Sequence, residues 1–256
     1  MAPEASLKEV APPKSGAPDY GLDAPILVKR MFTRAAWTIA IGVALFLINR
    51  SEYPGPSEAL LAVFVVIGAG FLATGGWMMW SSRTGKLQLR DRLIDSLALK
   101  GDEKVLDAGC GRGLMAIAAA KRLKTGKATG VDVRDPGVLS GNSSDAAKAN
   151  AKLEGVADKV RFESGDLRKL VYPEKSYDVA MSAFAIHNFA DREDREKVVR
   201  ELWRVSKPGG RLLIVDILHV SEYATVLREA GAEDVTVSSH GFLWCLPTKS
   251  VKAAKK

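Results

Sequence analysis

Val105-Leu-Asp-Ala-Gly-Cys-Gly-Arg-Gly113 is a short apolar run that passes straight into a turn carrying Gly109, Gly111 and Gly113. Leu114 to Ala120 follows at once and consists of good helix formers. A strand, a glycine turn and a helix N-terminus in that order make a cofactor cradle, because residues without a Cβ let the backbone pass close under a ligand. The details separate this turn from the dinucleotide fingerprint Gly-x-Gly-x-x-Gly. Its third glycine comes one residue early, and Leu114 stands where the last glycine belongs. Asp107 lies just before the turn, where a carboxylate repels pyrophosphate but receives an ammonium group. Asp132 closes the next apolar run, at a place where an acid accepts ribose hydroxyls.

From Lys104 onward strand and helix patterns alternate. Strands are predicted at 105–108, 128–133, 160–163, 177–182 and 211–217, and helices at 114–123, 144–154 and 192–205. A helix is also predicted from 86 to 99, with Leu89, Leu93, Ile94 and Leu97 on one face. Apolar strands each followed by a helix indicate a parallel sheet covered on both faces. Lys207-Pro-Gly-Gly210 reads as the break between the last of these helices and the next strand. Nearer the end, 223–230 reads as a helix closed by Gly231 and 234–239 as a strand; 248–253 reads as either a last strand or a basic tail.

Upstream, residues 59–80 contain no charged side chain. As a helix they span roughly 33 Å, enough for a hydrocarbon core of about 30 Å. A first apolar segment, 31–48, holds Arg34 near its end, within snorkelling reach of the interface. No small-x-small cleavage site follows it, so a two-helix transmembrane hairpin joined by a turn at 49–58 is expected in preference to a signal peptide. Ala36, Ala40, Ala44, Ala69 and Ala73 recur at helical spacing and are expected to let the helices pack closely. Trp37, Tyr53, Trp77 and Trp80 suit interfacial positions. Three regions result: a flexible tail over 1–28, an anchor over 29–82 and a catalytic domain over 83–256.

The net charge of +7 is unevenly placed. Residues 93–247 carry 23 basic and 23 acidic side chains, so the excess flanks the outer ends of the hairpin. That distribution fits both termini and the catalytic domain on the cytoplasmic side of an integral membrane protein. It leaves no basic face on the main domain and so argues against nucleic acid as a partner. Cys110 and Cys245 are far apart in sequence and indicate neither a disulfide framework nor a metal site.

Asp107-Ala-Gly-Cys-Gly-Arg-Gly113, Gly130-Val-Asp132, Ser164-Gly-Asp166-Leu167, Tyr177-Asp-Val-Ala-Met-Ser182 and Lys207-Pro-Gly-Gly-Arg211 form an ordered series. It resembles the motif series of class I S-adenosylmethionine (SAM)-dependent methyltransferases, over roughly residues 86–254. The resemblance implies a Rossmann-like α/β fold with a seven-stranded sheet of order 3-2-1-4-5-7-6, strand 7 antiparallel. It implies SAM as cofactor, with Gly109, Cys110, Gly111 and Gly113 under the methionine part. Asp132, beside Val133, would hold the ribose, and Asp166 with Leu167 would meet the adenine. Asp107 and Ser182 complete the expected cofactor set. For a general base, His187 in the segment after 182 is the first candidate and His219 the second, with Asp216 placed to orient a base. His240 reads as structural.

The anchor points to a small lipophilic acceptor (a quinone, isoprenoid or lipid) at the cytoplasmic membrane face, with the bilayer as a further partner. The hairpin also offers a surface for homo-oligomerisation. The alternatives are a non-catalytic SAM-binding assembly protein, a methyltransferase acting on a membrane protein and a nucleotide-cofactor oxidoreductase.

Overall fold

The protein is described here by a computed structural model covering residues 16–133, 139 and 141–256. Two long helices come first, α1 (Pro25–Asn49) and α2 (Pro54–Trp80). A π-helical turn, Ser81–Gly85, carries α2 without a break into α3 (Lys86–Asp95). Strands and helices then alternate: β1 (Lys104–Ala108), α4 (Leu114–Ala120), β2 (Lys127–Asp132), α5 (Ser144–Leu153), β3 (Val160–Ser164), β4 (Tyr177–Ala183), α6 (Arg192–Val205), β5 (Ser206–Asp216), α7 (Val220–Glu229), β6 (Thr236–Leu243) and β7 (Leu246–Ala254).

The sheet has seven strands in the order β3-β2-β1-β4-β5-β7-β6. β1 to β5 pair in parallel, whereas β7 runs antiparallel to both β5 and β6. Successive side chains on a strand face opposite sides, and the core divides accordingly. Val105, Met181, Leu213 and Val215 pack with Leu93, Ile94, Met115 and Ile117 of α3 and α4. Leu106, Ala180, Leu212 and Ile214 pack with Val198 and Leu202 of α6 and Tyr223 and Leu227 of α7. Both faces are covered, which is why these strands read as unbroken apolar runs.

Several expectations need correction. The C-terminal segment is a strand, not a basic tail, since β7 fills the gap between β5 and β6. Lys207-Pro-Gly-Gly210 does not interrupt the chain between α6 and the next strand. It is an irregularity inside β5, which starts at Ser206 opposite Tyr177 and resumes its register at Arg211 opposite Val179. The inter-helix turn is shorter than 49–58, because Pro54 opens α2, where a missing N–H costs nothing. Ala36, Ala40, Ala44, Ala69 and Ala73 face outward. Close packing comes instead from Ala35, Gly42, Gly68 and Gly75. A Cβ on Gly42 would lie 2.4 Å from Phe64, and one on Gly68 2.5 Å from Ile39. The outward faces of both helices are apolar: Trp37 is 71% and Val66 70% exposed.

The expected tail also changes character. Residues 1–15 lie outside the described residues, but residues 19–23 are docked on the domain. Asp19 exchanges hydrogen bonds with Asn150 and pairs with Arg112 at 3.0 Å, and the buried Tyr20 donates its hydroxyl to Glu154. Burial, and then the Glu154 charge, push the Tyr20 phenol above its usual range.

A second tie fastens α3 to the sheet. The Glu103 carboxylate accepts the N–H groups of Lys100 and Gly101, each at 2.8 Å, and pairs with Arg211 at 2.7 Å. Burial works to raise its pKa, but these donors overcome it and hold the group at about 2. A folded-state pKa below the unfolded value stabilises the fold above the unfolded value and is lost as pH falls through the folded one. Glu103→Gln is therefore expected to cost roughly 3 kcal/mol at neutral pH. Chemical denaturation against pH should show wild-type stability falling between pH 4.5 and about 2 by that amount more than the variant's.

Candidate active site

The glycine turn, the carboxyl ends of β2 and β4 and the docked N-terminal segment enclose a cleft of about 280 Å³. Gly109 donates its N–H to Val131 O at 2.8 Å, which fixes the turn to the end of β2. Its φ is +82°, and a Cβ there would lie 2.1 Å from the Ala185 Cβ. Gly111, also with positive φ, donates to Asp132 Oδ2 at 2.8 Å, while Asn142 donates to Oδ1 at 3.0 Å. The carboxylate of Asp132 is thus held rigidly at the rim of the cleft.

Of the expected cofactor residues, Gly109, Cys110, Gly111, Asp132, Val133 and Leu167 line the cleft together. The other four lie elsewhere. Asp107 is buried beneath the turn, where Oδ2 accepts the Ala116 N–H at 2.8 Å and so ties β1 to the first turn of α4. Gly113 is the residue before α4, its φ of +88° turning the chain into the helix. Ser182 is buried near the end of β4. Asp166 points to a different partner: Arg168 pairs with it at 2.9 Å and holds its carboxyl below the usual range.

The cleft includes residues that sequence reasoning did not place there. Tyr20 and Asp23 close one side, and Lys86 at the start of α3 fastens them. The Lys86 ammonium donates to the carbonyls of Tyr20 and Gly21 and to Asp23 Oδ2 at 2.7 Å. Arg112, the other cation of the lining, faces Asp19. Both cations therefore meet carboxylates from residues 19–23. A site with balanced charge, apolar walls (Val133, Leu139, Leu167 and Phe189) and a fixed carboxylate suits SAM better than a diphosphate. The glycine turn packs tightly along the same cleft, since a Cβ on Gly111 would lie 2.9 Å from Leu139 of its wall.

His187 follows β4 on a short 3-10 turn, Ile186–Asn188, flanked in the chain by the cleft residues Ala185 and Asn188. Its Nδ1 lies 2.5 Å from Oδ1 of Asp216, and its backbone N–H donates to Oδ2 at 3.1 Å. Asp216 is wholly buried at the end of β5 and also accepts from the Ile217 N–H and the Tyr223 hydroxyl. Asp216 accepts at Nδ1, so that nitrogen carries the proton and Nε2 is left as the basic atom. His219 is the residue before α7, and its Nδ1 lies 3.8 Å from Glu222. His240 packs against Ser250 on the β6–β7 hairpin, and burial pulls its pKa down. Among the described residues no cluster of His, Cys, Asp or Glu is placed to hold a metal.

The family model for a methyltransferase domain matches residues 105–210. The chain is 35% identical over 162 residues to the 27-O-demethylrifamycin SV methyltransferase of Amycolatopsis mediterranei, covering 61% of this chain and 55% of that one. It is 32% identical over 130 residues to the demethylmenaquinone methyltransferase of Thermus thermophilus, covering 51% and 54%. The chain spans about half the length of the curated relatives it matches. A solved geranyl diphosphate methyltransferase in complex with SAM shares the fold, with a TM-score of 0.54 at 15% identity over 66% of this chain and 85% of that one. Residues 105–210 thus match a methyltransferase domain, and the sheet that carries them is shared with a methyltransferase solved in complex with SAM.

Proposed function

We propose that the protein is a membrane-anchored methyltransferase that moves the methyl group of SAM to a small lipophilic acceptor, a quinone, isoprenoid or lipid, at the cytoplasmic face. The observation that carries this reading is the continuity of anchor and site. α2 runs through the π-helical turn into Lys86, and Lys86 lines the cofactor cleft. α1 leaves the same cleft two residues after Asp23. Both helices turn apolar faces outward over a length that matches a bilayer. The menaquinone-precursor and rifamycin relatives support a bulky, poorly soluble acceptor.

When bound, SAM supplies a methyl carbon already activated by its sulfonium. The chain's own groups then align and deprotonate. The glycine turn and Asp132 hold the cofactor, and His187 Nε2 takes a proton from the acceptor. Asp216 keeps the imidazole in the required tautomer and stabilises the imidazolium that forms. Phe184 and Phe189 line the cleft and exclude water.

The test uses the full chain in lipid nanodiscs with methyl-labelled SAM, supplied separately with lipid extracts and aqueous extracts. Label is expected in organic-extractable products. Label confined to water-soluble products overturns the lipophilic acceptor, and label on membrane protein replaces it with a protein substrate.

A further inference from the structure

The turn joining β6 to β7 presents three side chains outward: Phe242, 62% exposed, with Cys245 and Leu246. Between them Leu243 and Trp244 are buried against the exit of α2. The Trp244 backbone N–H donates to Ser81 Oγ at 3.0 Å, and its indole Nε1 donates to Ser82 Oγ at 2.8 Å. Gly85 approaches Leu243 so closely that a Cβ would lie 2.7 Å from Cδ2. Trp244 and Cys245 both adopt positive φ, 50° and 64°, a backbone cost for residues with side chains. The turn is thus clamped in a strained shape that exposes apolar groups instead of hiding them.

Its depth follows from helix geometry. The uncharged run ends at Trp80, and the clamp involves Ser81 to Gly85. At about 1.5 Å per residue those positions lie roughly 1.5 to 7.5 Å beyond the hydrocarbon boundary. The headgroup layer on each side of a bilayer is about 5 to 8 Å thick. Exposed cations occupy the same end of the molecule: Lys29 and Arg30 in the first turns of α1, Arg83 at the exit of α2, and Lys249 on β7. Apolar tips ringed by Lys and Arg suit an anionic lipid surface.

We propose that the β6–β7 turn is a second membrane contact, with Phe242 and Leu246 entering the headgroup layer of a phospholipid bilayer beside the helical hairpin. This inference rests on the anchor reading above. It also gives the domain a fixed attitude, since a hairpin and a second point of insertion together resist rocking. The inserted turn is one aromatic ring from the cofactor cleft. Trp244 meets Phe184 edge to face at 4.9 Å, and Phe184 lines the cleft.

The native cysteines provide the probe, because Cys245 is exposed and Cys110 is buried. Nitrobenzoxadiazole attached to Cys245 of the full-length protein is read in nanodiscs of phosphatidylglycerol and phosphatidylcholine. The control carries the dye on Val66→Cys in a Cys245→Ser background. Quenching of the Cys245 dye by lipids spin-labelled near the headgroup is the expected result. A dye on Cys245 that stays unquenched while the Val66 site is quenched by chain-labelled lipid overturns the second contact and leaves the anchor standing. Absence of quenching at both sites overturns the anchor reading and this inference with it. A blue shift that persists in detergent and vanishes on dilution assigns the turn to a second copy of the chain, and also overturns the proposal.

Discussion

With His187 replaced by alanine, kcat falls by about 10²- to 10⁴-fold, or roughly 3 to 5 kcal/mol of barrier, while the affinity for SAM stays at the wild-type value. The split between the two quantities follows from the geometry. His187 itself is not among the residues that line the cofactor cleft, although its neighbours Ala185, Asn188 and Phe189 are. Its imidazole is instead bound to the buried Asp216, which sits at the end of the adjacent strand β5. The acceptor's proton needs a basic ring nitrogen to receive it, and the variant has no ring to offer. Asp216→Asn keeps the shape but offers Nδ1 a partner of mixed character, so it should lower kcat in the same direction. Steady-state rates, with SAM affinity from calorimetry, check the expectation. A His187→Ala enzyme with normal kcat removes the base from the mechanism.

Gly109→Ala is expected to abolish measurable SAM binding and to destabilise the domain by about 2 to 5 kcal/mol. Two costs combine. The backbone at φ +82° is one that residues with a Cβ rarely adopt, and the new methyl would lie 2.1 Å from the Ala185 Cβ. Ala185 cannot retreat freely, since it follows Phe184, itself at φ 54° and packed edge to face on Trp244. Relief therefore comes from moving the glycine turn, and with it the N–H that Gly111 offers to Asp132. Gly76→Ala is the matched control, because a Cβ there meets nothing within 4 Å. Thermal unfolding with and without SAM reads both effects, and a Gly109→Ala protein that melts and binds like the wild type refutes the argument.

The sheet was legible because its strands announce themselves locally. Short apolar runs such as 105–108 and 211–216 are buried on both sides, so their composition alone marks them. The pairing of His187 with Asp216 was also within reach, since Asp216 ends β5 and His187 follows the adjacent β4. What escaped depends on distant partners. Asp19 and Tyr20 sit in a proline-rich stretch without periodicity, and their order comes from Asn150, Glu154 and Arg112, more than ninety positions away. The face on which α1 meets α2 was equally hidden. Alanine and glycine both recur at helical spacing there, and nothing local says that Gly42 and Gly68 point inward while Ala40 and Ala69 point out. The pairing of Asp166 with Arg168 was equally unmarked, since a motif position specifies a residue type and not its neighbour.

The π-helical turn at Ser81–Gly85 has a consequence for rotational phase. Each residue of an α-helix advances the side-chain direction by about 100°. A π turn takes in an extra residue, so it resets the angle between the helix before it and the helix after it. In α2 the direction is dictated by the glycines that meet α1, and in α3 by Leu89, Leu93 and Ile94, which must face the sheet. These two demands come from different partners, the facing helix on one side and the sheet on the other. Five residues act as the vernier that reconciles them, and so set how the hairpin is turned relative to the cleft.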